Sequence, residues 1–232
     1  MIGIIAALEG EVSAIKKQMT DSTQQNHAGL IFNKGLLQGA PVVVVRCGVG
    51  KVNAAMCTQI LVDLYRVDGI INIGVAGGVA EDIRIGDVVI SSDSVQYDMD
   101  ATAFGHPRGE IPNMQRTFFP ADTEFIALAE KTAREMGFAV RVGRIMTADL
   151  GVNCPDLKKE LCNTFDGVCV EMEGAAIAQV AYLNRIPHLI VRAISDNADG
   201  DLMEDYSQNF KRAVTNATAM VVQMVSVMAQ NN

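Results

Sequence analysis

The sequence predicts an α/β fold, a single domain spanning residues 1–232 with a mixed central β-sheet flanked by helices. Three observations carry this. Short runs rich in Ile and Val alternate with longer segments whose apolar residues recur at helical spacing. The composition, 49% hydrophobic and 20% charged, is that of a packed globular chain. No repeat, low-complexity stretch or linker-like composition interrupts the 232 residues, a length that suffices for one large core.

The elements follow in order. Residues 2–8 read as a buried strand, and Val12, Ile15 and Met19 then recur at helical spacing. Residues 30–36 and 42–45, joined by Leu37-Gln38-Gly39-Ala40-Pro41, predict a hairpin. After Gly48-Val49-Gly50, residues 51–64 read as a helix; residues 70–75 are a buried strand running into Ala76-Gly77-Gly78, and residues 87–91 another strand. Residues 92–120 hold several Pro and Gly and no clear period, which predicts a long loop of the kind that covers sites. Residues 121–136 read as a helix, 139–146 as a strand, and 155–162 as a short helix with Pro155 near its start. Strands at 167–170 and 189–194 flank a helix at 174–183. A long amphipathic helix closes the chain, with Tyr206, Phe210, Val214, Val221, Met224 and Met228 along one stripe.

Composition narrows the function. Nineteen basic against 27 acidic residues leave a net charge of −8, which disfavours nucleic acid as a partner. The apolar start, Met1-Ile2-Gly3-Ile4-Ile5, has no basic segment before it, so no secretory signal is read, and no apolar run approaches a membrane span. Cys47, Cys57, Cys154, Cys162 and Cys169 are odd in number and match no metal spacing, which predicts reduced thiols in the cytoplasm. His27, His106 and His188 lie far apart and out of ligand spacing, so no metal is expected; no cofactor is expected either.

Carboxylates at element junctions are the candidates for chemistry. Glu171-Met172-Glu173-Gly174 stands where an apolar strand gives way to an apolar helix. Burying two carboxylates there is costly unless they are paired or bind something, and sugar hydroxyls fit such a place. Glu11, three residues from Leu8 and four from Ile15, leans toward the buried stripe of the first helix, whereas Glu9 leans off it. A first-turn acid favoured by the helix dipole is the plainer alternative. Asp196 ends the strand at 189–194, pointing into a ligand crevice or closing an Asx turn. Gly48-Val49-Gly50-Lys51 lacks the third glycine of a dinucleotide fingerprint and the Ser/Thr of a P-loop. Gly74-Val75-Ala76-Gly77-Gly78 looks like a ligand-cradling turn, though a tight turn explains it as well. No nucleophile-elbow pattern is present.

Taken in order, these blocks resemble one family, the 5′-methylthioadenosine/S-adenosylhomocysteine nucleosidases of the nucleoside phosphorylase superfamily. The resemblance runs through Gly3-Ile4-Ile5-Ala6-Ala7-Leu8-Glu9-Gly10-Glu11-Val12, Gly48-Val49-Gly50-Lys51-Val52, Asn72-Ile73-Gly74-Val75-Ala76-Gly77-Gly78 and Thr102-Ala103-Phe104-Gly105. It continues through Val170-Glu171-Met172-Glu173 and Val191-Arg192-Ala193-Ile194-Ser195-Asp196. It implies a nucleoside phosphorylase-like fold and a homodimer that takes a small-molecule nucleoside and hydrolyses its N-glycosidic bond. Carried over by position, Glu11 would activate water. Asp196, supported by Ser195, would protonate adenine N7. Glu173 and Met172 would hold the ribose, and Val152 would read the adenine edge through its backbone. Leu8, Val49, Phe104 and Tyr206 would line the ribose and alkylthio pocket, with Ala101 and Pro112 where the partner subunit contributes. Two positions depart from the family pattern. Gly151 stands where many members carry an aromatic that stacks on the purine, and Val75 where many carry Ser. Phosphorolysis on the same fold, with Arg46 and Arg192 as anion ligands, hydrolysis of another 6-substituted purine nucleoside such as a futalosine-like compound, and non-catalytic nucleoside binding are the alternative readings.

Overall fold

A computed structural model describes residues 1–199 and 202–230, with side chains outside 202–207. The most apolar runs form its centre. β5 (Gly69–Gly78) and β10 (His188–Asp196) are buried along almost their whole length and pair in parallel, from His188 opposite Ile70 to Asp196 opposite Gly77. Burial on both faces explains why they read as continuous hydrophobic runs rather than as alternating ones.

Around this pair the sheet closes on itself. β10 pairs antiparallel with β6 (Val88–Gln96), β6 parallel with β8 (Val140–Thr147), and β8 parallel with β9 (Gly167–Glu171). β9 returns antiparallel to β5 through Gly77 and Gly78. An arm extends from β5 through β1 (Ile2–Ala6) and β4 (Ala40–Arg46) to β3 (Leu30–Leu37) and β2 (Met19–His27). The mixed sheet expected from sequence is therefore present, curled into a ring that hydrophobic pattern does not encode. β7 (Phe119–Pro120) adds a short pairing to β6.

Helices cover both faces of the sheet. α1 (Glu9–Lys16), α3 (Thr123–Met136) and α6 (Leu202–Gln230) enclose one core, where Val12, Ile15, Ala129, Val221 and Met224 pack on Ile71, Ile73 and Val191. α2 (Lys51–Ile60), which runs on through a π-helical turn at Leu61–Tyr65, and α5 (Gly174–Asn184) pack on the other side through Cys57, Leu61 and Ile177. α4 (Pro155–Phe165) covers the end of the ring near Val95 and Met146.

Several expectations need correcting. Met19 does not continue the first helix; it opens β2, a strand whose polar sequence is exposed almost throughout and so carries no alternation to read. The region 92–120 is not loop from its start, because β6 runs to Gln96 past a register shift between Ser91 and Ser94. On the closing helix, Val214, Val221 and Met224 are buried as predicted, while Tyr206 lies outside the described side chains.

Candidate active site

The carboxyl ends of β1, β5, β9 and β10 converge on a cavity of about 330 Å³, within the usual range for small-molecule sites. Three of the sequence candidates are buried carboxylates on its wall: Glu11, Glu173 and Asp196.

Glu11 is held by the start of α1. Leu8 precedes the helix in extended conformation, and its N–H donates to Glu11 Oε2 at 2.8 Å, the one half of a capping box open to an N-cap residue without a side-chain acceptor. The other oxygen accepts from Val75 N–H at 3.2 Å. Burial raises the Glu11 pKa, opposed by the Leu8 N–H and by the charge of Arg192. The capping reading and the site reading of Glu11 thus meet in one side chain. Its oxygens bind the helix entry on one side and line the cavity on the other.

Glu171 and Glu173 separate clearly. Glu171 closes the amino end of α5, accepting from Gly174 N–H at 2.8 and 3.0 Å and from Glu173 N–H at 3.0 Å. It also accepts from the Thr147 hydroxyl and pairs with the Arg192 guanidinium. Glu173 has freer oxygens. Oε1 accepts from Gly50 N–H at 2.8 Å, and Oε2 lies 3.9 Å from Arg192. Burial and the neighbouring Glu171 push its pKa up to about 7, against the pull of Arg192 and the Gly50 N–H.

Arg192 is the cation that makes this cluster tolerable. It is 1% exposed, donates to Asn72 Oδ1 as well as to Glu171, and faces Glu11 and Glu173 electrostatically. A lone Arg inside a strand as apolar as β10 requires a buried anion. Arg192 in that strand is the one sequence signal for the Arg192–Glu171 pair, and by itself it fits an anion ligand equally well.

Asp196 sits at the end of β10, where the register against β5 shifts. Ser195 Oγ–H donates to its Oδ2 at 2.9 Å and Ala198 N–H to its Oδ1 at 3.0 Å. The second bond is the turn expected of an Asp here, formed while the carboxyl still lines the cavity. Two glycines of β5 allow both carboxylates their approach. A Cβ at Gly74 would lie 2.9 Å from Glu11 Oε1, and one at Gly77 2.8 Å from Asp196 Oδ1. The glycine cluster is therefore strand backbone on which two acids rest. Glu11 therefore meets β5 at Gly74 and Val75, and Asp196 meets it at Gly77.

Leu8, Val49, Met172, Val152 and Ser195 join these acids on the wall, with Ala76, Leu150 and Gly151. A Cβ built at Gly151 meets nothing within 4 Å, so this wall is open where a side chain could stand. Phe104, Ala101 and Pro112 do not reach the cavity of their own chain, and Phe104 is 84% exposed. Arg46 likewise lies off this wall. The Cys47 thiol, buried near Glu173, is pushed up to about 12, which removes it as a nucleophile. Among the described residues no cluster of His, Cys, Asp or Glu could hold a metal, and no helix is long and apolar enough to cross a membrane.

The chain belongs to the phosphorylase superfamily, whose family model matches residues 1–226. Within that class it is similar to the 5′-methylthioadenosine/S-adenosylhomocysteine nucleosidase of Shewanella loihica, 38% identical over 226 residues that cover 97% of this chain and 98% of the relative. The nucleosidase of the same name from Colwellia psychrerythraea, solved in complex with adenine, superposes with a TM-score of 0.92 at 34% identity, covering 97% of this chain and 93% of that one. The futalosine hydrolase of Helicobacter pylori superposes with a TM-score of 0.94 at 29% identity, covering 97% of each chain.

Proposed function

We propose that this chain hydrolyses the N-glycosidic bond of 5′-methylthioadenosine and S-adenosylhomocysteine, releasing adenine and the 5-thio-substituted ribose. The observation that carries the reading is the convergence of Glu11, Glu173 and Asp196 on one cavity, in a chain 38% identical to a nucleosidase of that name.

Adenine leaves poorly as an anion. Asp196, oriented by Ser195, gives a proton to N7 so that the base departs neutral. The ribose gains oxocarbenium character as the bond breaks, and Glu173 holds its hydroxyls with bonds that strengthen in the transition state. Met172 packs on the sugar, and the backbone at Val152 reads the base edge. Glu11 accepts a proton from the water that attacks the opposite face. An acid and a base on the wall of one cavity, with water between the base and the sugar, follow the logic of inverting glycosidases.

The geometry disfavours phosphate as the nucleophile. Arg192 is engaged by Glu171 and Asn72, Arg46 is off the cavity wall, and Glu11 would repel an anion. The open wall at Gly151 supports a second reading, a 6-substituted purine nucleoside such as futalosine, the substrate in the name of one structural relative. A panel of 5′-methylthioadenosine, S-adenosylhomocysteine and futalosine, with and without phosphate, tests both. Base release from the first two without phosphate is expected. Release from futalosine alone transfers the assignment to the second reading, and strict phosphate dependence overturns hydrolysis.

The enzyme acts as a homodimer in this reading, each subunit completing the other's 5′ pocket with Phe104, Ala101 and Pro112. The exposure of Phe104 and Val52, at 84% and 78%, supports it. A monomer by sedimentation, with full activity, would refute it. The five unpaired cysteines fit the cytoplasm.

A further inference from the structure

A second cavity of about 410 Å³ adjoins the first and shares Ala7, Leu8 and Val49 with it. Its character differs. Where the first cavity is mostly apolar around its acids, the second carries Glu9, Lys16 and Arg46. Lys16 Nζ lies 3.1 and 3.3 Å from the two Glu9 oxygens, and Arg46 Nε lies 3.9 Å from Oε2. Two cations around one anion leave a formal excess of one positive charge. The Arg46 guanidinium makes no hydrogen bond to the described residues, so its fork is open to a carboxylate.

The two cavities meet where a bound nucleoside would send its 5′ substituent. In the nucleosidase reading, the base lies by Asp196 and Val152 and the sugar by Glu173, all three on the wall of the first cavity. Gly50 N–H binds Glu173, and Leu8 N–H binds Glu11, so Val49 and Leu8 edge the sugar on the side of the second cavity. A methylthio group ends at that rim. An amino-acid tail continues past it, carrying one carboxylate and one ammonium into a space that presents two cations and one carboxylate.

We propose that this second cavity binds the zwitterionic amino-acid tail of S-adenosylhomocysteine, its carboxylate on Arg46 and Lys16 and its ammonium on Glu9. The proposal rests on the nucleosidase reading and adds to it the part of the chain that separates the two substrates. Glu9, which the first-helix pattern turned away from the catalytic wall, acquires a role beside that wall rather than within it.

The test is kcat/KM for both substrates in the parent enzyme and in Arg46→Met and Glu9→Gln. These are partly exposed charges, so the expected loss is about 3- to 10-fold on S-adenosylhomocysteine, with 5′-methylthioadenosine within about 2-fold of the parent. The loss should fall on KM, and raising ionic strength should weaken S-adenosylhomocysteine selectively in the parent but not in Arg46→Met. Equal losses on both substrates, or none on S-adenosylhomocysteine, overturn the tail site while leaving the nucleosidase reading in place. Hydrolysis of neither substrate by the parent overturns that reading and this proposal together.

Discussion

Replacing Glu173 by Gln should stabilise the ligand-free protein above neutral pH while removing its activity. The buried Glu173 carboxyl has its pKa raised from 4.5 to about 7, chiefly by burial and then by Glu171. Between those values the folded state keeps a proton that the unfolded chain has lost. Stability from this group therefore falls as pH rises through that window and is level above it. At about 1.4 kcal/mol per pH unit, the cost at pH 8 is on the order of 3 kcal/mol. Gln stays neutral and keeps an acceptor for the Gly50 N–H, so it escapes that cost. His188 slopes the other way, because burial pushes its pKa down to about 4 and stability is lost as pH falls below 6.5. It is present in both proteins and cancels in the difference. Urea unfolding at pH 5 and pH 8, at one protein concentration, reads the effect. The variant should gain on the order of 3 kcal/mol over the parent at pH 8 and little at pH 5. A variant no more stable than the parent at pH 8, or a difference independent of pH, would refute the electrostatic reasoning.

Glu11→Gln and Asp196→Asn should each nearly abolish adenine release with the fold intact by circular dichroism; more than a tenth of parental kcat in either sinks the role assigned to it. Because the Glu11 pKa is raised, the parent's kcat/KM should fall on the acid side at a pH above that of an ordinary Glu. A limb at or below 4.5 would contradict Glu11 as the base. Gly77→Ala should cost at least 10-fold in kcat, because its Cβ would stand 2.8 Å from Asp196 Oδ1; parental activity would show that the carboxyl has room to move. Arg192→Met leaves Glu171 and Glu173 without their buried counter-charge and should destabilise the fold by about 3–5 kcal/mol, measured by denaturant titration. A loss under about 1 kcal/mol would mean the acids find another partner.

How far the sequence could be read depended on what each residue had to satisfy. β5 and β10 were legible because strands buried on both faces must be apolar throughout. Glu173 stood out as an acid at a buried junction, whereas Glu11 and Asp196 had plainer alternatives, a helix-dipole acid and an Asx turn, and only the family resemblance joined the three. β2 was not, since a strand exposed along most of its length has no face to protect. The ring closure was hidden because a two-residue pairing between β9 and β5, Gly77 with Val170 and Gly78 with Cys169, leaves no trace in hydrophobic pattern. Glu171 and Arg192 lie 21 residues apart, and only the folded chain reveals that each neutralises the other. The second cavity was equally invisible, because Glu9 and Lys16 on α1 and Arg46 on β4 look like ordinary surface charges until the fold brings them together.

The most direct measurement follows the first turnovers of 5′-methylthioadenosine in phosphate-free buffer by proton NMR. Water held by Glu11 and attacking opposite the departing adenine should give free adenine and, before mutarotation, the α-anomer of 5-methylthioribose. Initial formation of the β-anomer, or no adenine until phosphate is added, would contradict that mechanism.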